Sequence, residues 1–238
     1  FKSSPSVSVR IGAINALRRR ESDLVSAFLD DKNLSVIQEA GRAIHDDFSI
    51  PRALPRLAEL LDRPDLPQDE AITRRAISAN LRLGRAENGK RLLRFALDDD
   101  RPSAMRQEAI ESLRVWNQRP YLDRVEGRAR NLSPRDPNLG NRLIQDNAMA
   151  LLSSADSKLT ATITQAIRRN GLDVASDVLE KWFHDSNQES SIRVDALNLI
   201  YKKSPSKISE AIKVAMDSDI IPLRLAALGI EADSDEET

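Results

Sequence analysis

Cysteine is absent from the 238 residues, which excludes disulfides, thiolate nucleophiles and any cysteine-ligated metal or haem within this segment. Histidine occurs twice, at His45 and His184, too sparsely for the three or four converging ligands of a metal site. Aromatic residues make up 4% of the chain and glycines number 8, so aliphatic side chains and alanine must do the packing. No apolar run approaches the roughly 18 residues that span a bilayer, and no charged-then-apolar leader follows Phe1. The net charge of −1, from 36 basic and 37 acidic residues, creates no global field toward nucleic acid or anionic lipid. Both cytoplasm and periplasm accept such a chain. A start at Phe1 instead of methionine reads as a piece of something longer.

What the chain does have is repetition. The block Val9–Leu17 (VRIGAINAL) returns in altered form at Val36–Ile44, Ile72–Asn80, Met105–Leu113, Ile192–Ile200 and Leu223–Ile230, with a degenerate copy at Thr162–Asn170. Each copy carries a marker alanine (Ala13, Ala40, Ala76, Ala109, Ala196, Ala227, and Ala166 in the degenerate copy) four residues after an aliphatic or, at Thr162, a polar position. In four copies an arginine follows the aliphatic one: Arg10, Arg106, Arg193 and Arg224. The markers recur about every 30 residues, the length of one helical-repeat unit. One interval, Ala109 to Ala166, is about twice that and holds an insertion. A helix pair of this kind cannot bury its apolar face alone and must stack on its neighbours.

Three- and four-residue spacing of apolar positions predicts about thirteen helices. They cover Val7–Arg20, Asp23–Asp30, Leu34–Asp46, Ile50–Asp62, Asp69–Leu83, Ala86–Leu97, Pro102–Trp116, Leu139–Ser153, Lys158–Asn170, Asp173–Phe183, Glu189–Lys203, Ser206–Met216 and Ile220–Ile230. Gly84 and Gly171 stand where a helix ends in a left-handed residue, and Ser204-Pro205 where one begins. The fold class is therefore all-α, an α-solenoid of six to seven helix pairs over residues 1–232, with an insertion loop at 117–137 and an acidic frayed tail at 233–238.

Candidate chemistry is thin. Gly84–Arg91 (GRAENGKR) matches Gly-x4-Gly-Lys, yet Arg91 replaces the magnesium-binding hydroxyl and no strand precedes it, so Gly84 reads as a helix cap. His45 and His184 each close a helix and precede aspartate, the ordinary place for a cation at the negative end of the helix dipole. Arg18–Arg20 and Arg74-Arg75 read as solvated helix faces on so neutral a chain. No nucleophile, base and orienting acid stand together along the sequence. Function and structure compete most evenly in the insertion. Trp116, Tyr121, Arg124 and Arg128 either form a partner-docking surface, from the residue types that dominate interfaces, or cover the gap between two repeats of unequal length. Its aromatic and aliphatic residues favour an ordered excursion packed on the helices.

The repeated pairs resemble HEAT repeats. A closer likeness lies in Val9–Arg19, Glu39–Asp65, Arg74–Gly84 and the segment Trp116–Gly127 (W-x3-P-x2-DRV-x-G). Together these are similar to the HEAT region of large secreted planctomycete and verrucomicrobial proteins resembling membrane-bound sugar or aldose dehydrogenases. The resemblance implies a β-propeller before the HEAT region, a c-type cytochrome domain behind it, and a periplasmic or secreted location. Redox chemistry and haem c then belong to neighbouring domains, with no cofactor, metal or catalytic residue in this segment. The expected role is a non-enzymatic spacer contacting protein, without nucleic-acid binding or membrane insertion. The alternatives are a free-standing protein-binding adaptor and a HEAT-like nucleic-acid or chromophore-processing enzyme.

Overall fold

The computed structural model describes residues 1–46, 48–153, 156–203 and 208–236. The chain is all-α in its architecture, and its contacts divide it into two compact units, 1–144 and 145–238, where the sequence reads as one run.

In the first unit the marker copies form α1 (Val7–Arg19), α2 (Leu34–His45), α4 (Glu70–Leu83) and α6 (Ser103–Arg114). Between them run α3 (Leu54–Ala58) and α5 (Ala86–Leu97). α7 (Leu139–Asp146) follows the insertion and carries the division between the units. The span Asp23–Asp30 is a 3-10 helix, and Ile50–Asp62 is two 3-10 turns flanking the single α turn of α3. Pro55 explains the break in the second case, since it has no amide to carry on a ladder begun at Ile50, while Pro51 stands in the first turn, where a missing amide costs nothing. Starts are set by side-chain caps: Ser6 accepts from the Val9 amide, and Asp69 from the Ile72 amide at 2.9 Å. α4 stops at Gly84, whose φ of +66° is the left-handed conformation expected of it.

α1, α2, α4 and α6 pack on one another in order, each beside the next. They run parallel. Gln38 near the start of α2 bonds Asp69 at the start of α4 (2.9 Å), while Arg82 near the end of α4 donates to the carbonyl of His45, which ends α2 (2.9 Å). The core between them is aliphatic: Ile14, Val36, Ile44, Ile72, Ile77 and Ile110 are all buried. One buried polar knot closes α3, α4 and α5 together. Asn80 donates to the carbonyls of Ala58 and Ala76 and accepts from Asn88 and Arg91.

The second unit holds α8 (Ala148–Ser153), α9 (Ser157–Asn170), α10 (Ser176–His184), α11 (Ser190–Lys203), α12 (Ile208–Met216) and α13 (Ile221–Glu236). The predicted single helix Leu139–Ser153 is thus two, parted at Asn147. α9 begins on an Asp156 cap and ends at Gly171, φ +61°. α13 continues through Glu236, so 233–236 are helical where a frayed tail is expected, and 237–238 lie outside the described residues. The Ser204-Pro205 start also lies outside them.

The repeated arginine has a definite use. Arg106 Nε donates to the carbonyl of Ala96 at 2.8 Å, and Arg193 Nε to that of Phe183 at 2.9 Å. Ala96 and Phe183 are the penultimate residues of α5 and α10, whose last carbonyls lack helical partners. Each arginine therefore stitches a marker helix to the end of the helix before it. Arg10 and Arg224 do the same to turns, bonding the carbonyls of Ser4 and Ser218, both at 2.7 Å.

Candidate functional site

The insertion is ordered, as its aromatic content suggests, and it contains a feature its sequence does not announce. Tyr121-Leu122 pairs with Ala129-Arg130 as a two-residue antiparallel hairpin. The turn between them is built around Asp123, whose Oδ1 accepts from the amides of Val125 (2.9 Å) and Glu126 (3.2 Å). Its Oδ2 faces inward and accepts from the hydroxyls of Ser78 (3.0 Å) and Tyr121 (3.1 Å). Ser78 Oγ in turn lies 2.8 Å from His45 Nε2, and His45 Nδ1 lies 3.0 Å from Asp46 Oδ1. Asp46 is gripped on both oxygens by the Arg75 guanidinium, at 3.0 and 2.9 Å. His45, Ser78, Tyr121 and Asp123 are all buried.

Three helix positions and a hairpin turn thereby become one polar network joining α2, α4 and the insertion. Burial works to raise the Asp46 pKa. Hydrogen bonds from His45 and Arg75 outweigh it and hold the carboxyl far below its ordinary range. Asp123 is likewise pushed up by burial, but more than offset by His45, the two turn amides and Ser78, so its pKa is lowered. Burial and the Asp123 carboxylate push the Tyr121 phenol up.

Ser78, His45 and Asp46 have the spacing of a nucleophile, base and orienting acid, which the sequence, with these residues far apart, does not reveal. The hydrogen-bond directions argue against that chemistry. Ser78 gives its single proton to Asp123, an anion and a better acceptor than imidazole, while the direction of its 2.8 Å contact with His45 Nε2 follows the histidine tautomer. A hydroxyl committed in this way is not primed to transfer its proton to histidine.

His45, Asp46 and Glu126 also offer ligand atoms within 4.8 Å of one another. Arg75 holds both oxygens of Asp46, so a cation there would have to displace that guanidinium, whereas Glu126 gives only Oε2 to Arg130 and keeps a buried Oε1 without a hydrogen-bond partner. Arg130 and Arg82 further sandwich the Phe48 ring, at 3.9 and 3.5 Å from its centroid.

Of the four residues offered as a docking surface, two are corrected by burial. Trp116 is wholly buried, its Nε1 donating to the Asp136 carbonyl (3.1 Å) and its ring lying beneath Arg135. Tyr121 is buried in the network just described. Apolar loop residues find their lowest free energy against the helices, and these two do so. Arg124 and Arg128 are exposed, Arg124 pairing with Glu108 at 3.0 Å. Arg135 anchors the far end of the insertion by donating to the carbonyls of Leu81 and Arg82, the unsatisfied end of α4. The Gly84 cap leaves room for it, since a Cβ there would meet the guanidinium at 2.3 Å. The Gly84–Arg91 segment is a helix end followed by a helix start, with Gly89 packed on Leu139 and Leu143. His184 is the last residue of α10, its ring edge-on to that of Phe183.

Between the hairpin, α4 and α6 lies a pocket of about 300 Å³ lined by Leu81, Glu108, Val115, Tyr121, Leu122 and Arg124, among others. Glu108 is buried at its side. Burial raises its pKa, and Arg124 and Arg74 partly offset the shift.

Among the described residues no helix is long and apolar enough to cross a membrane. No family model and no curated protein matches the chain. Among solved structures it is similar to a designed armadillo repeat protein, at 14% identity over 96% of this chain and 94% of that one, with a TM-score of 0.34. A likeness of that size carries no argument, and the fold rests on the packing of the marker helices themselves. On that packing, the chain is an all-α protein of stacked helical repeats.

Proposed function

We propose that this chain is a non-catalytic helical-repeat scaffold: a spacer that makes protein contacts within a larger secreted or periplasmic bacterial polypeptide, where redox chemistry and haem c belong to other domains. The observation that carries the reading is the inward commitment of the insertion. The insertion buries Trp116, Tyr121 and Asp123 against α2, α4 and α6, and Ser78, the hydroxyl beside His45, donates to a carboxylate. What the molecule turns outward is repeat surface together with the polar side of the insertion, Arg124 and Arg128 included. A near-neutral charge supports contacts with protein over nucleic acid.

The test is twofold. A fluorophosphonate probe is expected to leave Ser78 unlabelled, and duplex DNA is expected to run unretarded in low-salt gels. Labelling that disappears in Ser78→Ala, or retardation that weakens steeply with salt, would overturn the non-catalytic reading. For the spacer itself, the reading frame on both sides of the segment should encode a propeller-like region and a Cys-x-x-Cys-His. Stop codons close to both ends leave the second reading, a free-standing adaptor. That reading is favoured by exposed Leu122, which lines the pocket together with Arg124.

A further inference from the structure

The insertion covers the helices beneath it without filling the space between. The pocket of about 300 Å³ left there is walled by Leu81 of α4, Val115 just past α6, and Tyr121, Leu122 and Val125 of the hairpin and its turn. That volume lies at the lower end of the range of small-molecule sites. It holds about ten non-hydrogen atoms, at roughly 30 Å³ each, a water molecule's share of the liquid. Apolar walls left to water are unfavourable, and Leu122, a large aliphatic side chain, is 63% exposed.

Four charged side chains line the same space: Glu108, Glu111, Arg114 and Arg124. Glu111 and Arg114 pair with each other at 2.9 Å. Glu108 is the most deeply buried of the four, its side chain 6% exposed, and it has two guanidinium partners, Arg74 at 2.8 Å and Arg124 at 3.0 Å. Arg74 comes from the neighbouring α4 and is 25% exposed, whereas Arg124 sits in the hairpin turn and is 52% exposed. A half-exposed ion pair is screened by water and holds its cation weakly. The carboxylate is therefore the fixed charge of the pocket and Arg124 the replaceable one. The titration of Glu108 agrees. Burial raises its pKa, the two arginines offset this only in part, and Glu111 and Asp123 add to it, so the ionised form still lacks compensation.

We infer that this pocket binds a small organic cation, an ammonium or guanidinium group on a compact apolar body, whose charge takes the place of Arg124 on Glu108 while the body lies against Leu81, Val115 and Leu122. The exchange puts one cation where another was, so no buried charge is left unpaired, and Arg124 turns out into water. An organic anion is rejected by the same walls: to reach Arg124 its carboxylate would have to enter beside Glu108 and Glu111. A neutral molecule of the same shape gains the apolar contact but has no charge with which to displace Arg124. The site lies wholly within the first unit and stands for a spacer and an adaptor alike.

Amide chemical shifts of the full chain, titrated at neutral pH with phenethylammonium, phenethyl alcohol and hydrocinnamate, test it. The ammonium should move the amides of Ser112, Val115, Leu122 and Val125 and bind at least about tenfold more tightly than the alcohol, with the carboxylate weaker still. Arg124→Ala, at an exposed position, should tighten the ammonium by about threefold or more because its competitor is gone. Glu108→Gln should bring ammonium and alcohol to within about twofold of each other, and Leu122→Ala should weaken both. The Arg124→Ala result decides the matter even where Glu108→Gln loses its fold. Lining amides that stay unmoved by the ammonium overturn the proposal. So does a carboxylate that binds more tightly than the ammonium, or an Arg124→Ala chain that binds the ammonium more weakly than wild type.

Discussion

Replacing Asp123 by alanine removes the acceptor on which the insertion is fastened. Four donors lose their partner: the Val125 and Glu126 amides and the Ser78 and Tyr121 hydroxyls. The amides belong to a partly exposed turn where water can replace the carboxylate, so their loss counts for little. The hydroxyls are buried, and each costs about 1–3 kcal/mol when left without a partner. His45 also loses a carboxylate 3.6 Å away, so the whole falls in the range of about 3–5 kcal/mol typical of breaking a buried charged network. With a urea m-value of about 2 kcal/mol/M, the unfolding midpoint of the first unit should drop by about 2 M. The two tryptophans lie one in each unit, so fluorescence in a Trp182→Phe background follows Trp116 and the first unit alone. Tyr121→Phe removes one bond to the same carboxylate and should cost about 1.5–3 kcal/mol. In the double variant the losses should be less than additive, since the two residues share that bond. Exposed Leu122→Ala, one residue away, should change stability by no more than about 0.5 kcal/mol. An Asp123→Ala midpoint within about 0.5 M of wild type would show that the hairpin merely rests on the helices, and would refute the reasoning.

The acid limb follows from the same carboxylates. Asp46 and Asp123 titrate below 3.8 when folded, so the stability they confer is fully present above that value and is lost as pH falls through their folded pKa values. Asp46→Asn should flatten that loss in urea midpoints measured against pH. Glu108 has the opposite sign: its pKa is raised above 4.5, so its contribution is present below 4.5 and fades as pH rises through the folded value. Glu108→Gln should abolish that fading, and a midpoint curve unchanged above 4.5 would contradict it. Gly84→Ala forces a side chain into the left-handed region, at roughly 1–2 kcal/mol, and pushes Arg135 off the end of α4; fluorescence of Trp116 beneath Arg135 should shift along with the midpoint. Arg106→Met and Arg193→Met each leave a helix-end carbonyl without its charged donor, worth about 1.5–3 kcal/mol. The first should lower only the transition of residues 1–144 and the second only that of 145–238, a separation that circular dichroism with the two tryptophan signals can resolve.

The helical-repeat fold was legible because its cause is local. An alanine and an aliphatic four residues apart mark the buried side of one helix, and their recurrence marks the next. Gly84 and Gly171 were legible as helix ends for the same reason, since a left-handed residue is a property of one position. The pairing of Asp123 with Ser78 and of Ser78 with His45 was not, because those residues are separated by 45 and 33 positions and no local spacing connects them. An aspartate between a leucine and an arginine in a loop looks like a surface group until the turn around it is seen. Trp116 and Tyr121 carried an ambiguous signal: the same composition serves a docking surface and a buried anchor, and only the presence of a groove between α4 and α6 decides. The 3-10 character of 23–30 and the break at Asn147 depend on how the flanking helices are spaced, which periodicity does not encode.

The arginine that follows the aliphatic position bonds a carbonyl oxygen, and a carbonyl is common to all twenty amino acids. The hydrogen bond joining one repeat to the next therefore makes no demand on which side chain stands at position 96 or 183; the demand there comes from packing, since Ala96 and Phe183 are both buried. Mutation can rewrite the intervening helices, as the dissimilar sequences of α5 and α10 attest, while each donor still finds an oxygen at the same place. In a repeat array joined in this way the arginine bond tolerates drift in the helix before it, because it recognises the polymer, while the aliphatic contacts between marker helices remain the part that depends on the residue.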